Sequence, residues 1–245
     1  MKVVAIVQAR MGSTRLPGKV LADVAGRPIL ERVVKRVSRA GSIDEVCVAT
    51  TRSPDDDVVA DLAPRIGATA FRGSADDVLS RYAGAAAATA ADVCVRVTAD
   101  CPLIDPGVID RVVGVFLDSR DPVDYVSNTQ ARTFPRGLDV EVFGVGALTR
   151  AAAEATLPFE RAHVTAFMYR NPAAFRILQV EQAEDRSAWR WTVDEPADLE
   201  FVRAVYAALG PDDDFGFDEV EALLLERPEL ARINDHVRQK ALEEG

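Results

Sequence analysis

Val3-Val4-Ala5-Ile6-Val7 runs directly into Gln8-Ala9-Arg10-Met11-Gly12-Ser13-Thr14-Arg15-Leu16-Pro17-Gly18-Lys19. A short apolar run rich in β-branched residues reads as a buried strand. The loop that follows holds two glycines, a proline, two hydroxyl residues and three cations. Glycine lets backbone approach a ligand closely, and exposed N–H groups and hydroxyls can hydrogen-bond phosphate oxygens. Arg10, Arg15 and Lys19 can neutralise several negative charges at once. Together these features predict a polyphosphate site at the carboxyl end of the first strand, where open α/β sheets bind ligands.

The charge distribution points the same way. The 245-residue chain has 29 Lys and Arg against 39 Asp and Glu, a formal net of −10. Residues 1–40 contain nine cations and only two acids, Asp23 and Glu31, so the rest of the chain is strongly acidic. A local basic patch on an acidic protein suits a small anionic ligand better than a nucleic-acid surface, which needs a basic face overall. Arg32, Lys35, Arg36 and Arg39 follow the loop at helical spacing and read as a solvated basic helix face.

The length suits one α/β domain with a small appendage, and 48% apolar residues are enough for a full core. No apolar run reaches the length of a membrane span, and the amino terminus lacks a signal-peptide pattern. Cys47 and Cys94 sit inside apolar runs and read as small buried hydrophobes; Cys101 stands apart from both. No Cys-x-x-Cys pair exists and only His163 and His236 offer imidazole, which argues against structural zinc. The expected compartment is the reducing cytoplasm.

The first half alternates strand and helix patterns. Strands are expected at residues 2–7, 45–49, 69–72 and 93–97, and helices at 28–40, 55–64, 75–89 and 106–118. That alternation means βαβ units and a largely parallel sheet. Later, 137–143 alternates apolar and acidic residues like a half-buried strand, and 147–156 and 159–170 read as helices. Strands at 175–180 and 189–193 precede a helix at 197–209. From Pro211 the chain turns acidic and helical, which divides it into a main domain of residues 1–210 and a C-terminal packing segment of 211–245.

Three loops are expected to meet above the sheet: the cationic loop, the segment 98–104 after the strand at 93–97, and Asp194 after the strand at 189–193. A carboxylate just past a buried strand is a good ligand for a hard cation. Asp100 and Asp194 can thus hold Mg²⁺ on a triphosphate; the alternative for each is helix capping, since Pro follows both within two residues. The loop is not an ATPase P-loop, because five residues rather than four separate Gly12 from Gly18 and Val20 follows Lys19. It does not fit the dinucleotide-binding glycine pattern either.

Residues 7–19 closely resemble the opening motif of the cytidylyltransferases that make CMP-Kdo and CMP-sialic acids, nearest the spore-coat polysaccharide protein F subgroup. Four further blocks fall in the family's order, from residue 2 to about 203: 72–82 (Arg72-Gly73-Ser74 through Tyr82), 98–103, 137–142 with His163-Val164-Thr165, and 191–199. The resemblance implies a three-layer α/β/α sandwich with a mostly parallel sheet, the nucleotide-diphospho-sugar transferase (GT-A-like) fold, and a homodimer. It implies transfer of CMP from CTP to a small acceptor with Mg²⁺ and release of pyrophosphate, and no nucleic-acid or membrane partner.

Carried over by motif, Arg10, Ser13, Arg15 and Lys19 hold the CTP phosphates. Ala9, Met11 and Gly12 face the nucleotide, while Arg72, Gly73, Ser74 and Asp77 line the nucleoside pocket. Asp100 and Asp194 match the metal carboxylates, with Arg10, Lys19 and Asp100 as catalytic residues. Asp139, Glu141 and His163 lie near the acceptor, and Arg136 and Arg161 are cations for an acceptor carboxylate or phosphate. Each of those two has the plain alternative of a surface cation, and His163 that of a structural histidine. The acceptor-binding half lacks the residues that mark a dedicated Kdo or sialic acid enzyme, so the acceptor stays open between a sugar acid, a sugar phosphate and a phosphonate. Two other functions are compatible with the motifs: a sugar-nucleotide-dependent glycosyltransferase, whose metal motif Asp55-Asp56-Asp57 only weakly approximates, and a non-catalytic nucleotide-binding subunit.

Overall fold

A computed structural model describes residues 1–239. Its strands are β1 (Val3–Gln8), β2 (Asp23–Val24), β3 (Arg27–Pro28), β4 (Glu45–Thr51), β5 (Thr69–Gly73), β6 (Val93–Thr98), β7 (Tyr125–Ser127), β8 (Glu141–Gly144) and β9 (Ile177–Gln179). Its helices are α1 (Ile29–Val37), α2 (Asp57–Arg65), α3 (Val78–Ala88), α4 (Pro106–Leu117), α5 (Val145–Glu154), α6 (Pro158–Ala162), α7 (Ala166–Arg170), α8 (Pro196–Leu209), α9 (Phe217–Glu226) and α10 (Pro228–Ala231). Seven strands form one sheet in the order β5-β4-β1-β6-β8-β7-β9, and β2 and β3 form a small separate ribbon. Only β8 runs against its neighbours; the other six sheet strands are mutually parallel.

The layering follows from the strand period of two. Val3, Ala5 and Val7 of β1 face one apolar cluster with α1, α2, α4, α8 and α9. Val4 and Ile6 face the other, with Tyr82 and Ala85 of α3, Leu148 of α5 and Met168 of α7. The same alternation splits Val93, Val95 and Val97 from Cys94 in β6. Strands covered on both faces read as continuous apolar runs. This is a three-layer α/β/α sandwich. All three cysteines are buried and unpaired.

Several expected boundaries differ, each for a local reason. The helix expected at 159–170 is two short helices, α6 and α7, because Val164 takes a positive φ of 54° between them. The strand expected at 137–143 starts only at Glu141, since Gly137 turns the chain at φ 106°. The segment 189–193 is not a ladder strand; it is held by an isolated bridge between Arg190 and Arg136 and by Val193 N donating to Asp100 O at 2.8 Å. Tyr125 and Val126, apolar in sequence, form with Ser127 the interior strand β7.

The larger correction concerns α1. Arg32 and Arg36, expected on a solvated face, are fully buried, whereas Lys35 and Arg39 remain at the surface. Arg32 Nη1 donates to Pro211 O at 2.6 Å and Asp213 Oδ2 at 3.0 Å, while its other nitrogens donate to Val24 O and Ala25 O. Arg36 donates to Ile104 O at 2.7 Å and Phe215 O at 2.9 Å. The two guanidinium planes stack on Tyr206 and Phe215. Guanidinium can be buried only where fixed acceptors meet its five donors, and the chain after Pro211 supplies them. Phe215, Val220, Leu224 and Leu230 of that segment join the same core as β1. Residues 240–245, the end of the expected packing segment, lie outside the described residues.

Gly137 is the position on which this half depends most. A Cβ there would stand 2.6 Å from the carbonyl carbon of Trp191, at a φ that side chains rarely adopt. Gly137→Ala is therefore expected to cost about 3 kcal/mol. Urea unfolding checks this, and a loss under about 1 kcal/mol would contradict the close approach.

Candidate active site

The site is assembled from the ends of β1 and β6 and from the extended segment before α8. The cationic loop is pinned at its start by a buried carboxylate: Met11 N donates to Asp56 Oδ1 at 2.6 Å, and Thr51 Oγ1 donates to Asp56 Oδ2. Asp56 is thereby committed to the loop, so the string Asp55-Asp56-Asp57 is a structural support and the start of a helix. Met11 O accepts from Ser13 N and Gly18 N, which folds the loop back on itself. Gly18, at φ 70°, then turns the chain into a 3₁₀ turn that begins with Lys19.

That turn sends Lys19 inward. Its Nζ donates to Asp100 Oδ2 at 2.7 Å, to Asp194 Oδ1 at 2.9 Å and to Val193 O at 2.8 Å. Asp100 Oδ1 accepts from Thr98 Oγ1, and Asp194 Oδ2 accepts from Arg190 Nη2 at 2.7 Å and pairs with Arg15 Nη2 at 2.9 Å. Burial alone would lower the Lys19 pKa, but the two carboxylates outweigh it and hold the ammonium above its ordinary value. Burial likewise pushes Asp100 up, and Lys19 outweighs it, leaving the carboxyl below its ordinary value. Neither aspartate is a cap. Asp105 caps α4, and at α8 it is Asp198 that accepts from Glu195 N.

Beside this ion cluster lies a cavity of about 580 Å³. Its walls bring together Arg15, Asp100 and Asp194 with the expected acceptor residues Arg136, Asp139, Glu141 and His163. They also contain Arg96, Arg132, Thr165, Tyr169 and Gln239. A cavity of similar size, about 550 Å³, opens at the β9 edge around Phe175 and Arg176, away from the strand-end loops. The first is the better candidate because titratable groups of both signs converge on it.

Glu141 is the hub of the cavity floor. It pairs with Arg96 Nη1 and accepts from Tyr125 Oη at 2.6 Å and from Thr165 Oγ1. Burial would raise its pKa, but Arg96 and the two hydroxyls hold it below the ordinary glutamate value. Asp139 pairs with Arg132, and burial together with the neighbouring Arg132 charge lowers the pKa of Arg136. Among the described residues, two buried guanidinium nitrogens of the cavity arginines, Arg15 Nη1 and Arg96 Nε, make no hydrogen bond, although Arg15 Nη1 lies 3.7 Å from Glu195 Oε1. Orphaned buried donors of this kind ask for an oxygen-bearing ligand.

The expected nucleoside residues lie at the adjoining end of the sheet, around the end of β5 and the start of α3. Arg72 donates to Thr51 O and Ser53 O and pairs with Asp57 at 2.6 Å. Gly73 lies flat against Arg81, and Ser74 Oγ accepts from Asp77 N at 3.0 Å. Asp77 caps α3 and accepts from Arg161 Nη2 at 2.6 Å. Arg161 also donates to Ala152 O and Ala155 O, so it clamps α3 to the end of α5 and is not part of the cavity wall. Arg10 and Gly12 are exposed on the loop, Ser13 is half-buried with its Oγ accepting from Leu16 N, and Ala9 is buried at its root, donating to Ala49 O.

Sequence reasoning missed Arg96, Arg132, Arg190, Asp198 and Gln239. Arg96 carried a signal, as the lone charge in Val93-Cys94-Val95-Arg96-Val97. Arg190, Asp194 and Asp198 recur every four residues, but only the folded chain shows that they meet.

The sandwich with a cationic loop after β1, Asp100 after β6 and Asp194 before α8 defines a nucleotidyltransferase fold. Residues 4–226 match the cytidylyltransferase family model, and the chain belongs to that family. It superposes on a cytidylyltransferase from Leptospira borgpetersenii with a TM-score of 0.91 and 32% identity, over 98% of this chain and 99% of that one. The spore coat polysaccharide biosynthesis protein SpsF of Bacillus subtilis is 31% identical over 92% of this chain and 95% of its own length. A 3-deoxy-manno-octulosonate cytidylyltransferase from Trichlorobacter lovleyi is 42% identical over 48% of this chain and 46% of its own length.

Replacing Glu141 by Gln leaves Arg96 without its buried partner and is expected to destabilise the protein by about 3 kcal/mol at neutral pH. Because the carboxyl is held below its ordinary value when folded, its contribution is present above the unfolded glutamate pKa of about 4.3 and is lost as pH falls through the folded value. The stability gap between wild type and Glu141→Gln should thus be full at pH 7 and narrow toward pH 3. A gap constant across that range would contradict this role.

Proposed function

We propose that the protein transfers CMP from CTP to a small anionic acceptor, a sugar acid or a related compound, and releases pyrophosphate in an Mg²⁺-dependent reaction in the cytoplasm. The observation that carries this reading is the Lys19 ammonium suspended between Asp100 and Asp194 at the end of a cationic loop. The loop cations Arg10, Arg15 and Lys19 answer the charge of a triphosphate, and Arg15 Nη1, which makes no hydrogen bond among the described residues, leaves a donor for a phosphate oxygen.

Asp100 and Asp194 are the residues that would hold Mg²⁺. Both offer hard carboxylate oxygens around one point, and among the described residues no group of three or more His, Cys, Asp or Glu forms a ready-made cage. Two carboxylates completed by phosphate oxygens and water is the usual Mg²⁺ donor set. When bound, the ion would neutralise phosphate charge and help activate the acceptor hydroxyl.

The chain's own residues supply positioning and fixed charge. Lys19 and Arg15 stabilise negative charge on the α-phosphate and on the departing pyrophosphate. Arg96, Arg132 and Arg136 line the acceptor cavity; Glu141 holds Arg96 and Asp139 holds Arg132 in place. Attack by an acceptor oxygen in line with the pyrophosphate leaving group needs no covalent enzyme intermediate. The family resemblance supports a homodimer.

Thermal denaturation with CTP, UTP, GTP or ATP, each with and without Mg²⁺, tests the donor. CTP with Mg²⁺ is expected to stabilise the protein selectively. Stabilisation by nucleotide-sugars alone would move the assignment to glycosyl transfer. With the acceptor that supports pyrophosphate release in hand, Lys19→Ala should lower the rate by about 10²–10³-fold. A wild-type rate in that variant would overturn the role of Lys19.

A further inference from the structure

Asp194 is held by a buried brace that reaches the described end of the chain. Arg190, only 7% exposed, donates from Nη2 to Asp194 Oδ2 at 2.7 Å, and from Nε and Nη2 to the two oxygens of Asp198 at 2.8 and 3.1 Å. Asp198 is fully buried, and its Oδ2 also accepts from Asp194 N at 2.9 Å and Glu195 N at 3.0 Å. One carboxylate therefore fixes both the backbone that carries Asp194 and the guanidinium that grips it. The C-terminal segment completes the brace. Asn234 Nδ2 donates to Arg190 O at 2.9 Å and to Asp198 Oδ1 at 2.8 Å, and Gln239 Oε1 accepts from Arg190 Nη1 at 2.8 Å. Gln239 itself forms part of the cavity wall.

We propose that Arg190, locked by Asp198, Asn234 and Gln239, is a positioning residue that sets the Asp194 carboxylate, which makes the C-terminal segment a working part of the active site. The proposal rests on the reading of Asp194 as a carboxylate for Mg²⁺ and Lys19. The geometry is specific. Arg190, with Arg15 beside it, occupies Oδ2 and leaves Oδ1 facing Lys19. A planar guanidinium with all three nitrogens engaged allows the carboxylate little rotation. The arrangement matches the general rule that groups hydrogen-bonded to a ligating carboxylate tune what it binds.

The test uses the full-length protein, CTP and Mg²⁺, with no acceptor. Gln239→Leu removes the acceptor at the outer end of the brace, and Gln239→Glu restores one. The Mg²⁺ concentration giving half-maximal thermal stabilisation by saturating CTP is measured for each, alongside the unliganded melting temperature. The proposal expects Gln239→Leu to raise that Mg²⁺ midpoint roughly tenfold, with the unliganded melting temperature nearly unchanged, and Gln239→Glu to return it toward wild type. A lowered melting temperature with an unchanged midpoint would show a merely structural contact and overturn the proposal. Should CTP stabilise the wild type equally without Mg²⁺, the metal reading fails and the brace is judged on CTP affinity. A CTP Kd raised several-fold in Gln239→Leu and restored in Gln239→Glu upholds it, and an unchanged Kd overturns it.

Discussion

The site depends on one buried cation placed between two carboxylates. Lys19 is 9% exposed and donates to Asp100, Asp194 and a backbone carbonyl. Such an arrangement is a poor source of stability, because removing three charges from water nearly cancels their mutual attraction. Its value is geometric. It ties the loop after β1 to the loop after β6 and to the segment before α8, three pieces separated by about eighty and ninety residues of chain. Each cation brought to that point, Lys19, Arg15 and Arg190, is paired with a carboxylate.

The fold supplies what the cluster needs. Parallel strands deliver their carboxyl ends to one edge of the sheet, which is why β1 and β6, adjacent and in register, place the cationic loop beside Asp100. Asp56 holds the loop from one side, and Arg190 with Asp198 holds Asp194 from the other. On the far face of the sandwich edge, Arg32 and Arg36 bind the chain after Pro211 to α1, and so hold the segment that later returns to Arg190. Burying a guanidinium is worthwhile only where all its donors are met, and both of these arginines make stacking contacts besides.

Local pattern revealed the parts of this structure that are locally encoded. The apolar runs at 3–7 and 93–97 gave strands because both faces of a central parallel strand are buried. The Gly- and cation-rich loop and the carboxylate just past β6 pointed to the edge of the sheet where Lys19 meets Asp100, while Asp194 reaches it from an extended segment that is not a ladder strand. What escaped was set by distant contacts. Nothing near Arg32 in sequence tells that Asp213 and Pro211 will cover it, and a solvated helix face has the same spacing. Glu141 and Arg96 look like alternating strand residues until β6 and β8 pair and set them opposite each other. Arg161 looked like a free cation, but Asp77 is more than eighty residues away in sequence and takes it. The break at Val164 and the late start of β8 after Gly137 came from positive φ values, which composition does not announce.

The central claim is that Asp100 and Asp194 share a divalent ion with a nucleotide whose phosphates lie on the cationic loop. A crystal grown with CTP and Mn²⁺, measured at the manganese absorption edge, addresses it in one experiment. The account predicts an anomalous peak bonded to a carboxylate oxygen of each aspartate and to phosphate oxygens, with Lys19 and Arg15 turned from the carboxylates onto the triphosphate. A nucleotide bound on the loop with Lys19 still seated between the two aspartates and no anomalous peak there would contradict it.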